Sequence, residues 1–147
     1  MNALQTAVAL ARTFEGLRLS PYLCPAGVPS IGYGTTRYED GTAVTLTDPP
    51  ITRERALALL QRDVERALAA ALRLCPGIDT AGRAAALADF TYNLGAGRLA
   101  GSTLRRCVNA QDWPGVAIQL RRWVYGGGRR LAGLAARREA EAALVTA

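Results

Sequence analysis

The chain contains no histidine, and lysine is absent too, so all 18 of its basic residues are arginine. Without histidine there is no Ser-His-Asp or Cys-His nucleophilic apparatus, no imidazole metal site and no imidazole switch near neutral pH. Without lysine there is no Schiff-base chemistry and no phosphate-cradling P-loop. The acid and base groups that remain are carboxylates, thiols and tyrosines. Long apolar runs are missing as well. Arg12 and Glu15 interrupt the N-terminal apolar stretch well before the ~20 residues that span a bilayer. A signal peptide would place basic residues before that stretch, whereas Arg12 follows it. No anchor or export signal is therefore expected, and the product is expected to stay in the cytoplasm that made it. The three cysteines, Cys24, Cys75 and Cys107, are odd in number and widely spaced, which is the pattern of neither a disulfide framework nor a zinc site. Cys75 and Cys107 sit among apolar neighbours and read as small buried hydrophobes. No metal and no cofactor are expected.

What is present is enough for one globular domain: 147 residues, 50% hydrophobic, 20% charged, with a formal net charge of +6. Ala3, Leu4, Ala7, Val8, Leu10, Ala11 and Phe14 recur at helical spacing, with Asn2 as N-cap and Gly16 as stop. From residue 17 to 46, prolines and glycines break any helix while Val, Ile, Tyr and Thr accumulate. Asp40-Gly41 lies between 35–38 and 42–45, which predicts a two-residue hairpin in a small antiparallel sheet. Thr52 caps a long predicted helix that ends at Cys75-Pro76-Gly77, and further helical patterns cover 80–94, 102–109, 112–125 and 133–145. The fold class is α+β, with a cleft expected where the β region meets the helical remainder.

Glu15 is the most informative acid. It falls at the end of the first helix beside Phe14, where the helix dipole and an apolar neighbour both disfavour a carboxylate charge. That is the condition of a general acid. After it come eight residues, Cys24, five residues and Ser30, then Ile31-Gly32-Tyr33-Gly34. With Glu15-Gly16-x-Arg18 and the aromatic Tyr22, this stretch resembles the phage-type lysozymes, the endolysins of glycoside hydrolase family 24. Their signature is glutamate, eight residues, aspartate or cysteine, five residues, threonine, and a glycine-rich turn. The resemblance continues through Tyr92-Asn93-Leu94-Gly95, Ser102-Thr103-Leu104, Trp113, Arg122-Trp123-Val124 and the segment 133–141, so it covers nearly the whole chain.

The resemblance implies one lysozyme-like domain: an N-terminal helix, a β lobe over about 17–47, a long connecting helix and a helical lobe over about 52–147. It implies hydrolysis of the β-1,4 bond between N-acetylmuramic acid and N-acetylglucosamine in bacterial peptidoglycan. Glycoside cleavage needs a proton for the leaving oxygen and a nucleophile or activated water at the anomeric carbon. The resemblance makes Glu15 the proton donor and puts Cys24 and Ser30 at the other catalytic positions, with the Ser30 hydroxyl able to hold a water. Cys24 is expected to act as thiolate, by positioning or activating water or by adding to the sugar. That requires its pKa to be lowered, with Arg18 or Arg37 the expected cause. Thr36, Tyr92, Asn93 and Thr103 fall on cleft-lining positions as expected sugar contacts, while Trp113 and Trp123 are expected in the core. Where many relatives read Gly-His-Thr, this chain has Gly34-Thr35-Thr36, so any support for Glu15 falls to an arginine, Arg137 or Arg138. The resemblance further implies a monomer without stable membrane insertion, made in the host cytoplasm. It would act on the wall in the periplasm after a holin-type membrane lesion or be delivered on a virus particle.

Two other functions compete. Paired arginines such as Arg105-Arg106 and Arg121-Arg122 could contact phosphates, but they are scattered and belong to no nucleic-acid motif, so no nucleic-acid partner is expected. A wall-binding module that has lost catalysis would also carry Cys24 and lack the histidine.

Overall fold

The computed structural model describes residues 1–147, which divide into two compact units, Arg12–Asp63 and Met1–Ala11 with Val64–Ala147. Helix α1 (Ala3–Phe14) opens with a reciprocal cap. The Asn2 Oδ1 accepts from the Gln5 N–H at 2.8 Å and the Gln5 Oε1 accepts from the Asn2 N–H at 3.0 Å. The helix stops at Phe14, so Glu15 directly follows its last turn, as the periodicity predicts.

Strands β1 (Arg18–Leu23) and β2 (Pro29–Gly32) then pair antiparallel, with Tyr22 opposite Ser30 and Leu23 opposite Pro29. The predicted hairpin at Asp40-Gly41 differs from the expectation. Its flanks share a single bridge, Arg37 to Ala43, and the Gly41 N–H bonds the Tyr38 carbonyl at 3.0 Å. The turn therefore holds three residues rather than two, with Gly41 at φ +87° supplying the left-handed position that re-joins the bridge. Asp48 closes this region by accepting from Tyr38 Oη at 2.7 Å and from Thr45 Oγ1 at 2.6 Å. Burial first, and then the bond to Asp48, push the Tyr38 phenol up to about 12.

Helix α2 (Arg53–Leu74) is capped by Thr52, whose Oγ1 accepts from the Arg55 N–H at 3.1 Å, and it gives way to Cys75-Pro76-Gly77 as predicted. In the larger unit, Thr80 caps α3 (Ala81–Leu94), Ser102 caps α5 (Thr103–Asn109) and Asp112 caps α6 (Trp113–Leu120). A short α4 (Ala96–Ala100) lies between α3 and α5, where no element is predicted. The predicted helix over 112–125 ends early. Tyr125–Gly126 (β3) and Arg129–Arg130 (β4) instead form a hairpin around Gly127 and Gly128, at φ +58° and +78°. Two successive left-handed residues are what a type I′ turn requires, and the glycine pair supplies them without steric cost. Helix α7 (Ala132–Thr146) closes the chain.

Phe90, Leu99, Leu104, Val116, Leu120 and Val145 are fully buried members of one apolar cluster formed by these helices. Cys75 is buried in that cluster as expected, whereas Cys107, expected buried, is only partly so and packs against the cluster with Trp113 and Trp123. Trp123 meets Phe90 edge-on at 5.5 Å, and the Arg83 guanidinium stacks on Trp113 at 4.1 Å. No helix is long and apolar enough to cross a membrane.

Candidate active site

The three expected catalytic positions all fall in the Arg12–Asp63 unit. Cys24 begins the turn that joins β1 to β2. The Gly27 N–H bonds the Cys24 carbonyl at 2.8 Å and the Cys24 N–H bonds the Val28 carbonyl at 3.1 Å. Pro25 fixes the second position of this turn, and Gly27 adopts φ +78°. The first residue of such a turn aims its side chain at the N–H groups that follow, which is why aspartate and asparagine favour the position. Here a sulfur takes that place.

The consequence is a thiol held below its ordinary pKa. The Val28 N–H contributes most, burial opposes it, and the Ala26 N–H, the Ser30 hydroxyl and the Gly27 N–H contribute in turn. The expectation that an arginine does this is corrected: Arg18 stacks on the Tyr22 ring at 4.8 Å, and the Arg37 Nη1 donates to the Gly41 carbonyl at 2.9 Å. Backbone dipoles pre-set by the turn favour the thiolate without a neighbouring cation.

Tyr22 links the three positions. Burial raises its phenol, and the charges of Glu15 and Cys24 both add to that rise against the lowering effect of Arg18. Its register partner across the ladder is Ser30. Glu15, half-buried just after α1, and Cys24 are thus close enough to act on the same ring. Ser30 is buried, and its Oγ lies 3.1 Å from the Val28 carbonyl, so its single proton serves either that oxygen or the sulfur.

Beyond Ser30 the chain turns sharply. Ile31 and Thr35 exchange both backbone hydrogen bonds at 2.9 Å, with Gly32 at φ +68° and Gly34 at φ +103° between them. A Cβ on Gly32 would meet the Ala56 Cβ of α2 at 3.3 Å, so this position needs glycine for close approach as well as for φ. The Thr35 hydroxyl donates to Asp63 Oδ2 at 2.8 Å, and Asp63 Oδ1 accepts from Arg62 Nη2 at 2.8 Å and Nε at 3.2 Å. Tyr22, Asp63 and Arg62 were not singled out from sequence as site residues. Only Tyr22 carries a sequence signal, as the aromatic residue between Glu15 and Cys24.

Thr36 follows as an exposed residue whose carbonyl accepts from the Val44 N–H at 2.9 Å. Tyr92, Asn93 and Thr103 belong to the other unit. Tyr92 is half-buried on α3, and the Asn93 Oδ1 accepts from Arg138 Nη2 at 2.8 Å, which fixes the orientation of its amide. Thr103 starts α5 on the wall of an open groove of about 560 Å³, shared with Arg98, Ser102, Gln119, Arg122 and Trp123. Arg137 is buried against Asp89 through a two-pronged contact of 2.8 and 2.7 Å, and Arg138 is buried beside Glu141. No group of three His, Cys, Asp or Glu side chains could hold a metal ion.

The phage lysozyme profile matches residues 12–141, which is most of the chain. The chain belongs to the phage lysozyme family. A SAR-endolysin of Bacteriophage PS119 is 38% identical over 130 residues, covering 86% of this chain and 73% of that protein. Among solved structures, an endolysin from Escherichia coli O157:H7 phage FAHEc1 matches with TM-score 0.85 and 33% identity, covering 99% of this chain and 93% of its own. The muramidase domain of SpmX from Asticaccaulis excentricus matches with TM-score 0.82 and 28% identity, covering 97% and 96%. As a phage lysozyme the protein is a glycoside hydrolase, an endolysin that acts on the peptidoglycan of the cell wall, and its α+β lysozyme-like fold is that of these relatives.

Proposed function

We propose that Glu15 and Cys24 carry the hydrolysis of the β-1,4 bond between N-acetylmuramic acid and N-acetylglucosamine. The observation that supports this is the cradle around Cys24, in which three backbone N–H groups and the Ser30 hydroxyl favour a sulfur anion beside the same ring that senses Glu15. The Glu15 carboxyl gives its proton to the glycosidic oxygen as the bond to the anomeric carbon breaks. The Cys24 thiolate faces the positive charge that develops there and draws the proton from an attacking water, or bonds to the carbon until water displaces it. Ser30 acts through Cys24 and is a positioning residue. Thr36, Tyr92, Asn93 and Thr103 offer the hydroxyl, amide and aromatic groups that sugar hydroxyls, acetamido groups and ring faces take up. In this reading the enzyme works as a monomer. It is made in the host cytoplasm and reaches the wall in the periplasm through a holin-type lesion.

The test is Glu15→Gln, assayed by the appearance of new reducing ends from purified peptidoglycan. Loss of a positioned general acid lowers the rate by about 10³-fold, with the circular dichroism spectrum unchanged. A folded Glu15→Gln that still releases reducing ends at the wild-type rate overturns the assignment.

A further inference from the structure

The catalytic turn is fastened by its own side chains at a point that the reaction does not touch. We propose that Thr35, Asp63 and Arg62 form a positioning bracket that ties the turn after Ser30 to helix α2, and that turnover depends on it. This rests on the assignment of Cys24 and Ser30 above.

The path is continuous. From α2, Asp63 Oδ2 accepts the Thr35 hydroxyl at 2.8 Å. Thr35 is doubly bonded through its backbone to Ile31, both at 2.9 Å. Ile31 is the immediate neighbour of Ser30, whose hydroxyl donates to the Val28 carbonyl at 3.1 Å, the same oxygen that accepts from the Cys24 N–H at 3.1 Å. On the other side, Arg62 grips Asp63 Oδ1, and its Nη2 also donates to the Arg37 carbonyl at 2.6 Å, so the strand leaving the turn is tied to the same point. Thr35, Ile31 and Ser30 are each 1% exposed or less, so water does not substitute for these bonds.

Arg62 Nη1 is buried and has no acceptor, a cost borne by the side chain in this position. Here the guanidinium is kept where it can hold both Asp63 and the Arg37 carbonyl. A threonine suffices for the inner contact because the two glycines, at positive φ, bring the Thr35 backbone close beneath α2.

The test is Thr35→Val, which keeps the branched shape and removes the donor. Misplacing reacting groups by a fraction of an ångström costs about 10- to 100-fold in rate, so kcat is expected to fall by at least about tenfold while KM stays within about twofold. Iodoacetamide alkylation of Cys24, read by peptide mass spectrometry, should shift its pH profile upward as Ser30 loosens. Thr35→Ser, which restores the hydroxyl, should recover both readouts. Arg62→Met, which leaves the Thr35 bond intact, should give the same changes at smaller size and serves if Thr35→Val fails to fold. A folded Thr35→Val with wild-type kcat and an unmoved Cys24 profile overturns the bracket. The alkylation readout needs no catalysis, so it reports on the bracket even if Glu15→Gln or Cys24→Ala proves active and the site assignment fails instead.

Discussion

The two units satisfy their polar groups in opposite ways. In Arg12–Asp63, the Cys24 sulfur meets backbone N–H donors and a hydroxyl at a sharp turn, the Arg62–Asp63 pair is part-exposed, and Glu15 and Cys24 stay partly exposed. In the helical unit whole ionisable side chains are buried. Arg137 with Asp89 and Arg138 with Glu141 lie between α3 and α7, with all four side chains 4% exposed or less. Donors fixed by a turn leave the sulfur polarised and reachable, which suits chemistry. The bidentate contact of Arg137 with Asp89 engages both carboxylate oxygens, which suits the joining of two helices. Substitutions at polar residues should therefore cost activity in the first unit and stability in the second.

The largest effect expected is on stability. Arg137→Met leaves the Asp89 carboxylate buried beside Glu141 without its two-pronged partner. Removing one member of a buried pair costs about 3–5 kcal/mol, which for a chain of this size lowers Tm by roughly 10 °C. Thermal unfolding at neutral pH measures it, and a fall of only a degree or two would erase the contrast between the units.

Next in size is Cys24→Ala, whose cost should appear in rate alone. A hundredfold loss of turnover corresponds to about 2.7 kcal/mol, while Tm should barely move because the turn's N–H groups are at the surface and pass to water. Cys24→Asp should restore activity and also change its pH dependence. Cys24 in the thiolate form is lost as pH falls through its lowered pKa, so wild-type activity declines toward acid. A carboxylate with an ordinary pKa of about 3.9 stays charged further down. Retained full activity in Cys24→Ala, or an unchanged acid limb in Cys24→Asp, would remove the thiolate from the reaction.

Much of this was readable from sequence because local rules decide it. The Asn2, Thr52, Thr80 and Ser102 caps, the end of α1 before Glu15 and the break at Cys75-Pro76-Gly77 each depend on a few adjacent residues. The glycine pair at 127–128 was equally local, but it was passed over because the apolar period runs on toward Val124 and Tyr125. What sequence could not show is who meets whom across distance. Thr35 and Asp63 are 28 residues apart and Asp89 and Arg137 are 48 apart, and no spacing rule joins them. The cause of the low Cys24 pKa is hidden from sequence for a different reason: the donors belong to the backbone rather than to a cationic side chain, and exist only once the turn has formed.

The smallest predicted effect tests how the buried charges are shared. Burial is the main reason that the Glu141 carboxyl is held well above the ordinary range. A bond to Asp89 adds to the rise, against the pull of Arg138. Burial likewise lowers Arg138, with Glu141 opposing. Although Arg138 Nε and Glu141 Oε1 lie 2.7 Å apart, they are not aligned for a hydrogen bond, and only Nη2 to Oε2 at 2.9 Å is. A carboxyl raised in this way fits a protonated Glu141. A group with a raised folded pKa contributes stability in full below its unfolded value, about 4.3 for glutamate, and that contribution is lost as pH rises through the folded value. Glutamine copies the protonated acid and cannot ionise. Glu141→Gln should therefore change little under acid conditions and flatten the decline in stability as pH rises. Were Glu141 ionised at neutral pH, the same substitution would strand Arg138 and cost about 3–5 kcal/mol, so the sign of the change in urea midpoint at pH 8 decides between the two.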